Sequence, residues 1–94
     1  MKNKKSKIKM KIKLFYFAKV REILGIDREE IDVEGDIKTL AELVAFLKLR
    51  GSKWQSIFEM PSSYRMAVNQ ELVEANHRIN TNDEVAFFPP ITGG

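Results

Sequence analysis

The last eight residues of the chain read FFPPITGG, a segment with little to pack and one group that can react, the Gly94 carboxylate. Gly93 and Gly94 carry no Cβ, so an extended end of this kind fits a channel too narrow for any other residue. A carboxylate resists attack until it carries a good leaving group. An acyl-adenylate supplies one, and a sulfur or amine nucleophile can displace it. Upstream, Pro89 has no N–H to give a sheet ladder, and Pro90 restricts Pro89 to extended conformations. Pairing therefore stops there, and residues 89–94 are expected to form a flexible tail reaching about 20 Å from the domain. Phe87 and Phe88 are neighbours on the expected final strand, so their side chains point to opposite faces. One packs inward, and for the other, contact with a partner is favoured over simple exposure. Leu72, Phe17 and Arg21 are further candidates for that partner surface, with Phe88, Pro89, Pro90, Ile91 and Thr92 continuing it toward the tip.

Other chemistries find little support. The chain has no cysteine and one histidine, His77, which excludes disulfides, a thiol nucleophile and any zinc site built on cysteine, and leaves no expected metal site. The lack of cysteine fits a reducing, cytoplasmic setting. Glu29-Glu30 is a carboxylate pair without an evident pocket, read as a solvated turn, and Trp54 is read as packing. No apolar run is long enough to span a bilayer, and no secretory signal is visible.

The formal charge of +3 hides an asymmetry. Seven of the 16 basic residues are lysines within the first 13 positions, where there is no acid. From Leu14 onward nine basic residues face 13 acidic ones, a net charge of −4. A basic segment on an acidic body argues against a broad phosphate-tracking surface and for a body that meets a basic partner.

The elements that must position the tail are legible as patterns. Residues 1–6 are polar and Lys-rich, expected to be a disordered extension, and residues 7–88 form the domain. From Lys7 the lysines alternate with Ile8, Met10, Ile12 and Leu14, the period of a half-buried strand. The alternation is expected to lapse over Leu14-Phe15-Tyr16-Phe17. Val20, Ile23 and Leu24 have helical spacing before Gly25. Glu30–Glu34 alternates again. Thr39 and Glu42 form a capping box ahead of the stripe Leu40, Leu43, Val44, Leu47, which predicts a helix ending near Arg50-Gly51. Trp54, Ile57 and Phe58 suggest a short packing turn. Asn69-Gln70 separates two short strands as a hairpin turn, and Thr81-Asn82-Asp83 precedes the last strand. The order predicts an α+β fold in which one main helix covers a mixed sheet, as in a β-grasp, ubiquitin-like domain.

KIKLFYFAKVREILG, AVNQELV and DEVAFFPPITGG together are distinctive. From Met10 to Gly94 the chain resembles the small subunit of molybdopterin synthase, a ubiquitin-like sulfur carrier. The thiamine-pathway carrier shares the diglycine end, but AKVREILG and FFPPITGG favour the molybdopterin branch. The resemblance implies that a ubiquitin-activating-type enzyme, using ATP, adenylates the Gly94 carboxylate and that sulfur then replaces AMP to leave a thiocarboxylate. The tail would enter the large synthase subunit of a heterotetramer and donate sulfur to cyclic pyranopterin monophosphate, forming the dithiolene. The chain itself would bind no cofactor, nucleic acid or membrane and would act as a non-catalytic donor subunit. Two departures stand out: Asn82 replaces a usual Gly, and residues 1–9 precede the usual start. The remaining alternatives are a thiamine-pathway carrier, a ubiquitin-like modifier and, remotely, a nucleic-acid-binding module using the basic N-terminus.

Overall fold

The computed structural model describes residues 9–90. In chain order it contains β1 (Lys9–Tyr16), α1 (Ala18–Leu24), β2 (Arg28–Glu34), α2 (Leu40–Lys48), α3 (Ser52–Phe58), a 3₁₀ turn (Pro61–Ser63), β3 (Arg65–Val68), β4 (Glu71–Val73) and β5 (Glu84–Phe88). The five strands form one sheet in the order β2-β1-β5-β3-β4. The central pair, β1 and β5, is parallel, and every other neighbouring pair is antiparallel. This mixed sheet packed by helices is the β-grasp arrangement expected from the order of patterns.

Alternation governs β1 to its end. Ile12, Leu14 and Tyr16 are buried, while Lys11 is exposed and Lys13 and Phe15 are half-buried on the opposite face. The expected lapse at Leu14–Phe17 does not occur, because Phe15 and Phe17 continue the outward series and Tyr16 the inward one. Beneath the inward face lie Leu40, Leu43 and Leu47 of α2 and Ile57 and Phe58 of α3. Burying each such side chain contributes about 1.5–3 kcal/mol, so this layer holds the helices to the sheet.

Local signals fix the ends. The Thr39 hydroxyl accepts from the Glu42 N–H at 3.3 Å, and the Glu42 carboxylate accepts from the Thr39 N–H at 3.1 Å. Glu42 also accepts from the Lys38 N–H, and these backbone bonds hold its carboxyl below the usual range. Gly25 caps α1 at φ 80°, a left-handed value that glycine adopts at little cost. Asn69 and Gln70 both have positive φ, at 51° and 73°, as a two-residue I′ hairpin turn requires. Asn82 takes φ 71°, so the departure from glycine is accommodated.

Three boundaries differ from the expectation. β2 begins at Arg28 because its ladder with β1 extends to the pair Phe15–Arg28. The main helix ends at Lys48, and Arg50 lies beyond it. The segment read as a packing turn is the seven-residue helix α3, stabilised by contacts with α1 and α2 rather than by its own length.

Candidate functional site: the open face of the sheet and the tail root

The outward face of the sheet is divided into two regions. Toward the N-terminal end of β1 it carries charges. Lys9 pairs with Glu34 at 3.4 Å and Lys11 with Glu30 at 3.7 Å, while Lys13 stands between Glu30 and Glu84 in the ladder. Toward the end of β5 the face is apolar. Register aligns Phe15 with Ala86, Ala86 with Ala67, and Ala67 with Leu72. Phe17, Phe15 and Ala86, with Gln70 and Glu84, line a hollow of about 270 Å³. Phe17 and Leu72 are 47% and 67% exposed, large values for apolar side chains sharing one sheet face.

The candidate residues are therefore only partly gathered. Phe17 and Phe88 lie at the same end of the face, tied by the Phe17 N–H donating to the Phe87 carbonyl at 3.1 Å. Leu72 shares the face from the far edge strand, with β3 between. Phe88 is half-buried, and its ladder partner is Arg65. Arg21 lines a separate hollow with Glu22, Gly25 and Arg28; Arg28 in turn holds its guanidinium 5.9 Å from the Phe15 ring centre. The sequence reading did not single out Phe15 or Ala86 for this surface. Strict alternation from Lys9 would have found Phe15, whereas Ala86 is visible only through strand register.

Backbone strain shapes this end as well. Ala18, immediately after Phe17, has φ 52°, a conformation that costs an L-residue about 1–2 kcal/mol. The bend carries the chain from β1 directly into α1.

Pro89 is not free at the strand end. It borders a hollow of about 180 Å³ with Lys19, Val20 and Ile23 of α1 and Ser56, Ile57 and Ser63 of the α3 region. Both prolines are half-buried, so the root of the tail lies beside two helices. Ile91, Thr92, Gly93 and Gly94 lie outside the described residues.

Below the root is a polar cluster that the sequence did not reveal. The buried Tyr16 hydroxyl donates to Glu29 Oε2 at 2.8 Å. Arg50 donates to the same carboxylate with both terminal nitrogens, at 2.8 and 3.0 Å. The Arg50 guanidinium lies 4.2 Å from the Trp54 ring centre, and Trp54 meets Tyr16 edge-on at 5.7 Å. Burial pushes the Glu29 carboxyl up, but the hydrogen bonds from Arg50 and Tyr16 outweigh it and hold the group below its usual range. Burial and the bond to Glu29 push the Tyr16 hydroxyl far above its ordinary value. Glu29 is therefore not part of a solvated pair, since only Glu30 faces the solvent ladder. Glu29 and Arg50 are 21 residues apart, so no local spacing announced them. Among the described residues no group of three or more His, Asp or Glu side chains is placed to hold a metal, and no helix is long and apolar enough to cross a membrane.

The model of the ThiS family matches residues 14–94, which includes the apolar part of the open face and the tail. The chain belongs to the ThiS family. Within that family its resemblance to molybdopterin synthase small subunits holds over nearly their full length. It is 41% identical to the molybdopterin synthase sulfur carrier subunit of Escherichia coli (strain K12), over 88% of this chain and 99% of that one. Among solved structures, a putative molybdopterin converting factor subunit 1 from Pyrococcus furiosus superposes with a TM-score of 0.73 at 28% identity, over 87% of this chain and 99% of that one. The complex of subunits 1 and 2 of molybdopterin-converting factor from Helicobacter pylori 26695 contains a chain with the same fold, at TM-score 0.58 and 22% identity, covering 90% and 100%. The ThiS-family chain thus has a sulfur-carrier fold whose apolar outer surface adjoins the root of its diglycine tail.

Proposed function

We propose that the chain is the sulfur-carrier subunit of a molybdopterin synthase, with the Gly94 carboxylate as the group that is loaded and spent. The observation that carries this reading is the 41% identity spanning 99% of a molybdopterin synthase sulfur carrier subunit. A carboxylate oxygen of Gly94 attacks the α-phosphorus of ATP in a ubiquitin-activating-type enzyme, and pyrophosphate leaves. A sulfur nucleophile then attacks the acyl carbon, the C–S bond forms and AMP departs, leaving a thiocarboxylate. In the large subunit this sulfur bonds to cyclic pyranopterin monophosphate. Water then attacks the acyl carbon, so that the acyl C–S bond breaks, the sulfur stays on the acceptor and the chain returns as the carboxylate. The chain contributes the donor atom and its delivery, and the partners contribute the catalytic pockets.

The geometry fits this division of labour. A half-exposed apolar surface next to the tail root lets a partner hold the body while the tail enters its channel, and desolvating aromatic anchors such as Phe17 is an effective source of binding energy. The relation to the Helicobacter pylori complex supports the large subunit as that partner. Among the described residues, Lys9 and Lys11 of β1 pair with carboxylates of β2, which weakens the case for these two lysines as a phosphate-tracking face.

The test is intact mass after incubation with the activating enzyme, ATP and a sulfur donor. The expected product is heavier by the difference between sulfur and oxygen. Deleting Gly94 is expected to abolish both this product and molybdopterin synthesis while thermal unfolding stays unchanged. A deletion variant that still loads sulfur and supports synthesis overturns the carrier mechanism.

A further inference from the structure

Tyr16, Glu29, Arg50 and Trp54 come from β1, β2, the segment after α2, and α3, yet they close into one ring of contacts. A purely stabilising role explains this poorly. The Arg50–Glu29 pair is partly exposed, and such pairs contribute little net stability, whereas their directional bonds fix geometry. The ring has two outlets, and both reach the tail. The Tyr16 side chain stacks on Phe87 at 6.0 Å with ring planes 15° apart, and Phe87 is its ladder partner. The Phe87 carbonyl takes the Phe17 N–H, the bond beside the point where the prolines begin. Trp54 anchors α3, and α3 supplies Ser56 and Ile57 to the wall against Pro89.

We infer that Tyr16, Glu29, Arg50 and Trp54 form a clamp that positions the tail root, fixing the end of β5 from below and the Pro89 groove from the side. They are positioning residues, since none lies on the open face or on the tail itself. Arg50 is the keystone, because its planar fork grips Glu29 with two bonds while its flat face covers Trp54. A lysine keeps the charge but can make neither the two-bond fork nor the flat stack. The consequence for delivery rests on the proposed carrier function, but the consequence for the free chain does not.

The free, full-length chain supplies the first test, by amide hydrogen exchange at single residues. In Arg50→Lys and in Glu29→Gln, exchange of the Phe17 amide is expected to quicken about tenfold through local opening. The Asn69 amide, bonded to the Glu84 carbonyl at the other end of β5, and the Leu43 amide, bonded to the Thr39 carbonyl at the start of α2, should stay within about twofold. Tyr16→Phe, which keeps the stack on Phe87 and removes the hydroxyl, should give a smaller change of the same pattern. Unchanged Phe17 exchange in both charged-site variants overturns the clamp. So does an equal acceleration of all three amides, which marks general destabilisation. The second test uses thiocarboxylated chain with the large subunit. Arg50→Lys is expected to lower the single-turnover rate of sulfur transfer about fivefold to tenfold with the dissociation constant unchanged, because the open face is intact and only tail presentation is altered. An unaltered rate, or a loss residing wholly in the dissociation constant, overturns the clamp's role in delivery. A chain that never loads sulfur at Gly94 removes the proposed function and leaves the exchange result standing.

Discussion

Phe87 and Phe88 are adjacent, chemically identical and in different worlds. Phe87 is fully buried, packed edge-on against Phe58 at 4.9 Å and near Tyr64. Phe88 is half-buried on the opposite face, at the same end as Phe17 and across the ladder from Arg65. The difference extends over the whole sheet. The covered face is continuous from β2 to β3 and has three helices above it, so its side chains are committed to the fold. The outer face gathers apolar side chains from Phe15 and Phe17 across Ala86 and Ala67 to Leu72 and carries lysines paired with β2 carboxylates toward the N-terminal end of β1. One face spends its apolar surface within the chain, and on the proposed function the other keeps a limited patch for a partner.

Substitution at the two phenylalanines should therefore separate folding from binding. Phe87→Ala is expected to destabilise the domain by about 3–5 kcal/mol, by cavity formation and lost burial, as read in denaturant unfolding. Phe88→Ala should cost the free domain about 1 kcal/mol or less but weaken binding to the large subunit about tenfold or more, from about 1.5–3 kcal/mol of lost burial. Parallel unfolding and titration experiments decide it. If Phe88→Ala unfolds the domain as severely as Phe87→Ala, or leaves affinity unchanged, the division between faces fails at this strand.

The tail root lies between the two regions, and a smaller effect is expected there. Replacing Pro89 and Pro90 together by alanine frees backbone that proline had already restricted, so docking should weaken by about 1 kcal/mol with an added entropic penalty. Calorimetry beside wild type reads both quantities. Equal or tighter binding without that penalty would show that the prolines only end the strand. The effect should be graded, unlike loss of Gly94, because a looser tail still reaches the same site.

The charged part of the outer face should matter least. Lys11→Gln removes one partner of a pair whose side chains are 50% and 57% exposed, and exposed pairs of this kind contribute about 0–1 kcal/mol. Both stability and partner affinity should shift by less than about 0.5 kcal/mol. A large loss of affinity would extend the partner surface from the apolar patch into the lysine rows.

Much of this protein is determined by residues close together in sequence. Alternation set the inward and outward faces of β1, the capping box started α2, positive-φ asparagines made the turns, and two prolines ended β5 before the diglycine. Each depends on interactions within a few residues, where sequence spacing is spatial spacing. The tertiary structure decided what lies side by side. It placed Phe15 beside Ala86, with Ala67 and Leu72 following in register, put Pro89 against α1 and α3, and closed Glu29, Arg50, Tyr16 and Trp54 into one ring. No local period encodes such contacts, because a sheet ladder joins residues some 70 apart as readily as near neighbours. Glu29 shows the reason most directly. Beside Glu30 in the sequence it is one of two carboxylates, but alternation turns the pair apart, one toward the solvent lysines and the other toward Arg50 and Tyr16.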